Sequence, residues 1–375
     1  MKILFCVRVD IFENVGGDKV QVEKTKQVLE ELGHEITITN TPNVDYTLYD
    51  IVHVFQLDWA PESNIYVRRA KSANVPVVLS PIHHSVKDLK KYDDYFTFGL
   101  RKISGILFKD QFSRDTLKNV YRCFKNPKKI ESTLLSIKYG LFNLHKNTLE
   151  LSDLIIVQTW KEKSDLEETY SLDLSLKTKL VPNGVSDDFI NPAGESNLPK
   201  FENYIINVGR IEPRKNQLSI IDAMKVVRAS GKDVSLILVG KRSSNHKEYI
   251  SLINREIKEN DWISYFEYVP QSELASLYKN SSACISASWF ETTGLTLLEA
   301  LYSGTKIIAS GEREREIFGD LAVYCTPDSI ESIAYAIRAS LEMQKPIVPQ
   351  EFKNTYTWTN TGKILNGEYK NIAKK

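Results

Sequence analysis

From residue 3 to residue 343 the chain repeats one pattern: a short run of apolar, β-forming residues, a turn, and a stretch with apolar residues at helical spacing. In the first half the β-type runs are 3–9, 36–39, 51–55, 75–80, 154–158 and 179–182, with helical stretches at 18–32, 63–72 and 161–170. The pattern restarts with β-type runs at 204–208, 234–239, 263–268, 283–287, 306–309 and 322–325 and helical stretches at 217–230, 247–260, 272–279, 293–303 and 329–343. Strands alternating with helices predict βαβ units and a mostly parallel sheet, because parallel neighbours need a crossover to return the chain to the same edge. Two rounds predict an α/β protein of two Rossmann-like, doubly wound domains. Between the rounds, residues 191–199 (NPAGESNLP) have the Pro, Gly and polar content of a linker. The domains are therefore expected at 1–195 and 200–355. The helical pattern over 357–370 is expected to carry residues 356–375 back to the first domain. A length of 375 residues accommodates two domains at roughly 100–200 residues each.

Composition excludes several classes. With 42% hydrophobic and 26% charged residues, the chain is neither disordered nor fibrous. A net charge of +1 gives no whole-chain attraction to nucleic acid. No run approaches the ~18 apolar residues of a membrane span, so membrane contact is expected only from the surface. Arg8 and Asp10 interrupt the N-terminal apolar run before a signal-peptide core could form. Cys6, Cys123, Cys284 and Cys325 are widely separated and form no C-x-x-C pair, which fits buried thiols in a reducing cytoplasm. The fingerprint G-x-G-x-x-G is missing after the first strand, against a nicotinamide cofactor.

The stretch most informative about chemistry is SWFETTGLTLLEA, residues 288–300. A strand that turns through Thr292, Thr293 and Gly294 into a helix presents free backbone N–H groups and the positive end of a helix dipole, the features that bind a diphosphate, with Thr293, Gly294 and Leu295 as the candidate donor-binding residues. Gly294 allows close approach. Glu291 and Glu299, seven residues apart in between, suit hydroxyl groups, since a carboxylate accepts two hydrogen bonds from a vicinal diol. In YIINVGRIEPRKNQ, residues 204–217, a strand and the turn at Gly209 deliver Arg210 and Lys215 to the mouth of a helix. Arg210 can fork onto phosphate oxygens and Lys215 supplies a point charge.

Glu291 and Glu299 within FETTGLTLLEALYSGT, together with Arg210 and Lys215, closely resemble the signature of retaining glycosyltransferase family 4, the group 1 glycosyl transferases. Further matches run through LVG at 238–240, YVPQSEL at 268–274 and AVYC at 322–325. The resemblance implies the glycosyltransferase-B fold, two domains facing across a cleft. It implies retaining, metal-independent transfer of a sugar from a nucleoside-diphosphate sugar to a glycan or lipid-linked acceptor, with no separate cofactor and a plausible place in bacterial surface-polysaccharide synthesis. Arg210 and Lys215 would stabilise the leaving diphosphate, Glu291 the sugar and Glu299 the ribose, and the loop at Val269 would lie against the base. The resemblance also implies that Gly17, in the loop NVGGD at 14–18, approaches donor phosphates and acceptor, and that His83 touches the donor sugar. Adjacent His83 and His84 lack a companion ligand pattern for a metal. One departure stands out. Where relatives carry a small glycine-containing loop, this chain reads GERERE at 311–316, which either reshapes the donor pocket or forms a solvated turn, the reading the sequence favours.

Residues 96–146 hold eleven Lys or Arg against three acids, a local charge of +8. Leu117, Val120, Tyr121 and Phe124 repeat at helical spacing while Arg114, Lys118, Arg122 and Lys125 follow another face, the pattern of a basic amphipathic helix. Such a face would dock on anionic lipid or a lipid-linked diphosphate, or would lie in water on its own domain. A nucleotide-sugar epimerase, and a nucleotide-sugar-binding assembly partner without catalysis, are the competing functions.

Overall fold

Two parallel six-stranded sheets organise the described residues, and each belongs to its own unit. The computed structural model describes residues 1–13, 16–58, 61–95, 108–190 and 201–373. Asn14 and Val15 of the glycine loop, residues 96–107 of the basic region, the side chain of Lys125 and the 191–199 linker lie outside the described residues.

The first unit comprises Met1–Asn183 and Trp358–Lys375. Its strands are β1 (Lys2–Cys6), β2 (Glu35–Thr39), β3 (Ile51–Phe55), β4 (Val77–Ser80), β5 (Leu154–Val157) and β6 (Thr178–Leu180), in the order β2-β1-β3-β4-β5-β6. Every residue of β3, β4 and β5 is buried, as a parallel sheet covered on both faces requires. The C-terminal helix Trp358–Ala373 belongs to this unit because it closes one face of the sheet: Leu365, Tyr369 and Ile372 join the core with Ile3, Phe5 and Ile51. Tyr369 Oη pairs with His53 Nδ1 at 2.5 Å, and His53 Nε2 pairs with Ser80 Oγ at 2.8 Å. Burial pushes His53 down to about 3, so this network is neutral. Gly362 lets the helix lie close to Gly17–Glu31, since a Cβ there would stand 2.9 Å from Val28 Cγ2.

The second unit is Gly184–Thr357. Its strands are β7 (Tyr204–Val208), β8 (Ser235–Val239), β9 (Ile263–Phe266), β10 (Ala283–Ile285), β11 (Ile307–Ser310) and β12 (Ala322–Cys325), in the order β12-β11-β10-β7-β8-β9. Two apolar layers cover the sheet, one holding the helices Gln217–Ala229, Lys247–Glu259 and Ile330–Glu342, the other Gln271–Asn280 and Leu295–Tyr302.

The unit boundary corrects the one expected near 195–200. Val185 and Phe189 are buried in the second unit's core, the Val185 N–H donates to Tyr356 O at 3.0 Å, and the Phe189 ring lies 5.9 Å from that of Tyr278. The Pro- and Gly-rich composition at 191–199 marks a loop, whereas the unit begins where side chains first enter its core.

Candidate active site

In an open parallel sheet, ligands bind outside the carboxyl ends of the strands where the strand order reverses. In the second unit that point lies between β7 and β10, and the two most informative sequence stretches follow these two strands. After β7 the Gly209 N–H donates to Val239 O at 2.9 Å, and the Ile211 N–H donates to Lys241 O at 3.0 Å. The chain then winds through the single turn Pro213–Lys215 to Asn216, whose φ of 62° redirects it into the helix Gln217–Ala229. Asn216 tolerates this left-handed conformation better than most residues and anchors it by donating from Nδ2 to Pro327 O at 2.7 Å.

The segment after β10 fastens onto this turn. The Trp289 N–H donates to Arg214 O at 3.0 Å, and the Arg214 guanidinium donates to Phe290 O at 3.1 Å and to Glu291 at 3.4 Å. Lys215 Nζ donates to the other oxygen of Glu291. Burial alone would raise the Glu291 acid, but Lys215 and then Arg214 overcome it and hold the group down to about 2. Arg210 Nη1 stands 3.5 Å from Glu212, whose acid lies below its usual range because Arg214, Arg210 and Lys215 outweigh its burial. Arg210, Lys215 and Glu291 are thus brought into one cluster. Arg214 and Glu212 complete it and were missed in the sequence, although both lie inside the charged turn between Arg210 and Lys215.

Gly294, at φ +67°, caps the helix Leu295–Tyr302. The Leu297 and Leu298 N–H groups both return to its carbonyl, leaving the amides of Leu295 and Thr296 at the helix mouth, where an α-helix makes no internal bond. Thr293 is buried beside them. Along the same helix, Glu299 lies 3.4 Å from the Tyr278 hydroxyl, and its acid is pushed up to about 8 by burial, which that hydrogen bond only partly offsets. The Val269 side chain is in the core and leaves only backbone for a ligand, while Tyr268 beside it is exposed.

In the first unit, Gly17 opens the helix Gly17–Glu31, and a Cβ on it would meet nothing within 4 Å. His83 follows β4 in the same unit. It is 1% exposed, with Nδ1 2.5 Å from Asp58 Oδ1 and its N–H donating to Glu162 at 2.8 Å. His84 turns to the same carboxylate, its N–H 2.6 Å and its Nδ1 3.1 Å from Asp58 Oδ2. Both histidines follow the end of β4, past Ile82 at φ 47°, so the alternation of side chains along a strand does not separate them. The histidines hold the Asp58 acid far below the usual carboxylate range against its burial. His83 lines a partly open cavity with His145, Tyr170, Gln111 and Asp115.

The basic helix is also corrected. In Gln111–Lys125 two of the cations, Arg114 and Lys118, bond to acids of their own unit: Arg114 is 4% exposed and bonds Asp94 at 2.7 Å and Phe108 O at 2.9 Å. Lys118 Nζ meets Asp93 at 2.6 Å and Asp115 at 2.9 Å, two carboxylates that are themselves buried. Arg122 bonds Asn119 at 3.1 Å, while Tyr121 and Phe124 are exposed. The amphipathic pattern is real, but Arg114 and Lys118 turn to the acids at 93, 94 and 115, while Leu117 and Val120 are half-buried and Tyr121 and Phe124 exposed. Lys118→Ala is accordingly expected to cost about 3–5 kcal/mol of stability, the penalty for stranding buried charge, without changing adsorption to anionic vesicles. Urea unfolding with and without the substitution checks this; unchanged stability with weakened vesicle binding would restore the lipid-facing reading. Among the described residues no helix is long and apolar enough to cross a membrane, and no group of three or more His, Cys, Asp or Glu is placed to hold a metal ion.

Residues 191–355 match the family model described as Glycosyl transferases group 1. The chain is 27% identical over 217 residues to the O-antigen chain mannosyltransferase B of Escherichia coli, a match covering 55% of this chain and 56% of that relative. The match thus spans little more than half of the relative's own length. Among solved structures, a sucrose-phosphate synthase from Thermosynechococcus elongatus superposes with a TM-score of 0.71 at 15% identity over 99% of both chains. HepE from Anabaena, in complex with UDP, superposes with a TM-score of 0.60 at 14% identity, covering 98% of this chain and 96% of that one. At these identities the structural likeness carries the fold.

Proposed function

We propose that the chain is a group 1 glycosyltransferase and that it moves a sugar from a nucleoside-diphosphate sugar to a hydroxyl of a glycan or lipid-linked acceptor in surface-polysaccharide synthesis, a reading supported by the family-model match, the O-antigen relative and the fold. The observation that carries this reading is the convergence at the β7/β10 switch point of Lys215, Arg214 and Arg210 with the helix mouth at Gly294–Thr296. Three cations and a dipole end suit a diphosphate, and Glu291 beside them suits the hydroxyls of the transferred sugar. The curated O-antigen relative supports the polysaccharide context, and the UDP complex of HepE supports a nucleotide donor.

In this mechanism the bond between the anomeric carbon and the diphosphate oxygen breaks, and a bond from the acceptor oxygen forms on the same face. The acceptor proton passes to the departing phosphate oxygen, so configuration is retained without a covalent protein nucleophile. Lys215 and the helix-mouth amides meet the charge that develops on the leaving group, where preorganised electrostatics lower a barrier most. Glu299 binds the ribose, and with its acid pushed up to about 8 it carries a proton near neutral pH and can donate as well as accept. These residues supply the stabilisation without a divalent ion, so activity is expected to survive EDTA.

Thermal shift against UDP-, GDP- and dTDP-sugars tests the reading, since a ligand that binds only the native state raises apparent stability. A shift with one donor, lost in Glu299→Ala, followed by EDTA-resistant transfer from that donor, is expected. Conversion of the donor alone to an epimer would replace transfer by epimerisation, and tight binding without turnover on any acceptor would leave a binding protein.

A further inference from the structure

The run 311–316 is not the solvated turn that its composition suggests. Within the helix Glu312–Phe318, Glu312, Arg315 and Glu316 are exposed, but Arg313 is 6% and Glu314 1% exposed. Glu314 Oε2 accepts the Ser310 N–H at 3.2 Å, in the manner of a residue near a helix start reaching back to the preceding backbone. Its other oxygen, Oε1, has no hydrogen-bond partner. That oxygen lies beneath the turn that opens Leu295–Tyr302: a Cβ on Gly294 would stand 3.1 Å from Oε1, and 3.6 Å from the Phe318 ring. A buried polar atom without a partner costs about 1–3 kcal/mol, so its place under the helix mouth needs a reason.

We propose that Glu314 is a positioning residue of the diphosphate seat: its carboxyl supports the Thr293–Gly294 turn from beneath, and a diphosphate binds above the turn only while that carboxyl is uncharged. The inference rests on the donor site described under the proposed function. The groups facing Glu314 are Glu291 from the segment after β10, Lys215 from the turn after β7, and Tyr324 and Cys325 from β12. Lys215 and Arg214 are both bonded to Glu291, which is ionised. An ionised Glu314 would therefore add a second negative charge below an anion seat whose neighbouring cations are already engaged. Burial, then the Glu291 carboxylate, push the Glu314 acid well above its usual range, and Lys215 and the Ser310 N–H only partly oppose this. Occupancy then depends on the protonated fraction, and affinity falls as pH rises through the raised value, by about tenfold per pH unit beyond it.

Calorimetric binding of inorganic diphosphate and of UDP and GDP, from about pH 5 to about pH 9, tests this with the wild type, Glu314→Gln and Glu314→Ala. Glutamine keeps the shape and the acceptor for Ser310 but cannot ionise. The ratio of Glu314→Gln to wild-type affinity cancels titration of the ligands and of Glu299. It is expected near unity at low pH and to climb about tenfold per unit above the acid's pKa, while Glu314→Ala, folded by its melting curve, binds weakly throughout. A ratio that stays flat, or an alanine variant that binds like the wild type, overturns the inference and leaves the donor reading standing. Glu314-dependent binding of inorganic diphosphate without binding of any nucleotide would support the inference and sink the donor reading, and a wild type that binds neither sinks both.

Discussion

Under the proposed mechanism, alanine at Lys215 is expected to lower kcat for sugar transfer by about 10²–10³-fold, the loss typical of removing one preorganised charge from a developing oxyanion. The side chain touches Glu291 and lies against the Gly209 turn, where a Cβ on Gly209 would stand 3.4 Å from Lys215 Cε. Its position is therefore set from both sides before substrate arrives. Removing it leaves Glu291 with Arg214 at 3.4 Å, so the carboxylate keeps one cation and the fold is expected to survive. The kinetic split identifies the role. A residue that meets charge only as the bond breaks affects kcat more than KM, whereas one that merely holds the ground-state diphosphate raises KM. Lys215→Arg retains the charge without the compact geometry, and partial recovery is expected. Transfer within threefold of wild type in a folded Lys215→Ala enzyme would remove Lys215 from the mechanism.

Much of the second unit was legible because its strands have no alternative use. YIINV at 204–208 is continuously apolar apart from Asn207, and it forms β7 with the expected bounds. Where ends moved, a particular residue explains it. The first strand stops at Cys6, short of residue 9, because Arg8 leaves the ladder to pair with Asp10 and Asp18. The helix expected from 293 starts at Leu295, because the left-handed conformation of Gly294 cannot lie inside it. The faces of Gln111–Lys125 were illegible for another reason: the period shows that two faces differ but not which one meets the core, and the acids that draw Lys118 inward include Asp93 on a separate helix. The same limit hid Glu314, whose burial depends on Gly294 and Phe318, and Asp58, which lies 25 residues before the histidine it holds.

Gly240→Ala is expected to cost about 2–4 kcal/mol of stability and to remove nucleotide binding together, although residue 240 is not among the groups placed on the ligand. Gly240 follows β8 at φ +144°, a backbone conformation that side-chain-bearing residues rarely adopt. A Cβ there would stand 2.7 Å from the Gly209 carbonyl carbon and 3.3 Å from the Arg210 nitrogen, so the clash is with backbone, which cannot rotate away. Relief requires the Gly209–Arg210 turn to lift, carrying Arg210 and Lys215 from the helix mouth at Gly294. The missing methyl of one glycine thus fixes the height of the turn that carries Arg210 and Lys215. Gly17→Ala is the control, since its Cβ meets nothing within 4 Å and its φ is not positive; a stability change within about 0.5 kcal/mol is expected. Urea unfolding and nucleotide thermal shift on both variants separate the cases. Strain confined to residue 240 would lower stability and leave the donor shift intact, and that result would break the link between Gly240 and the site.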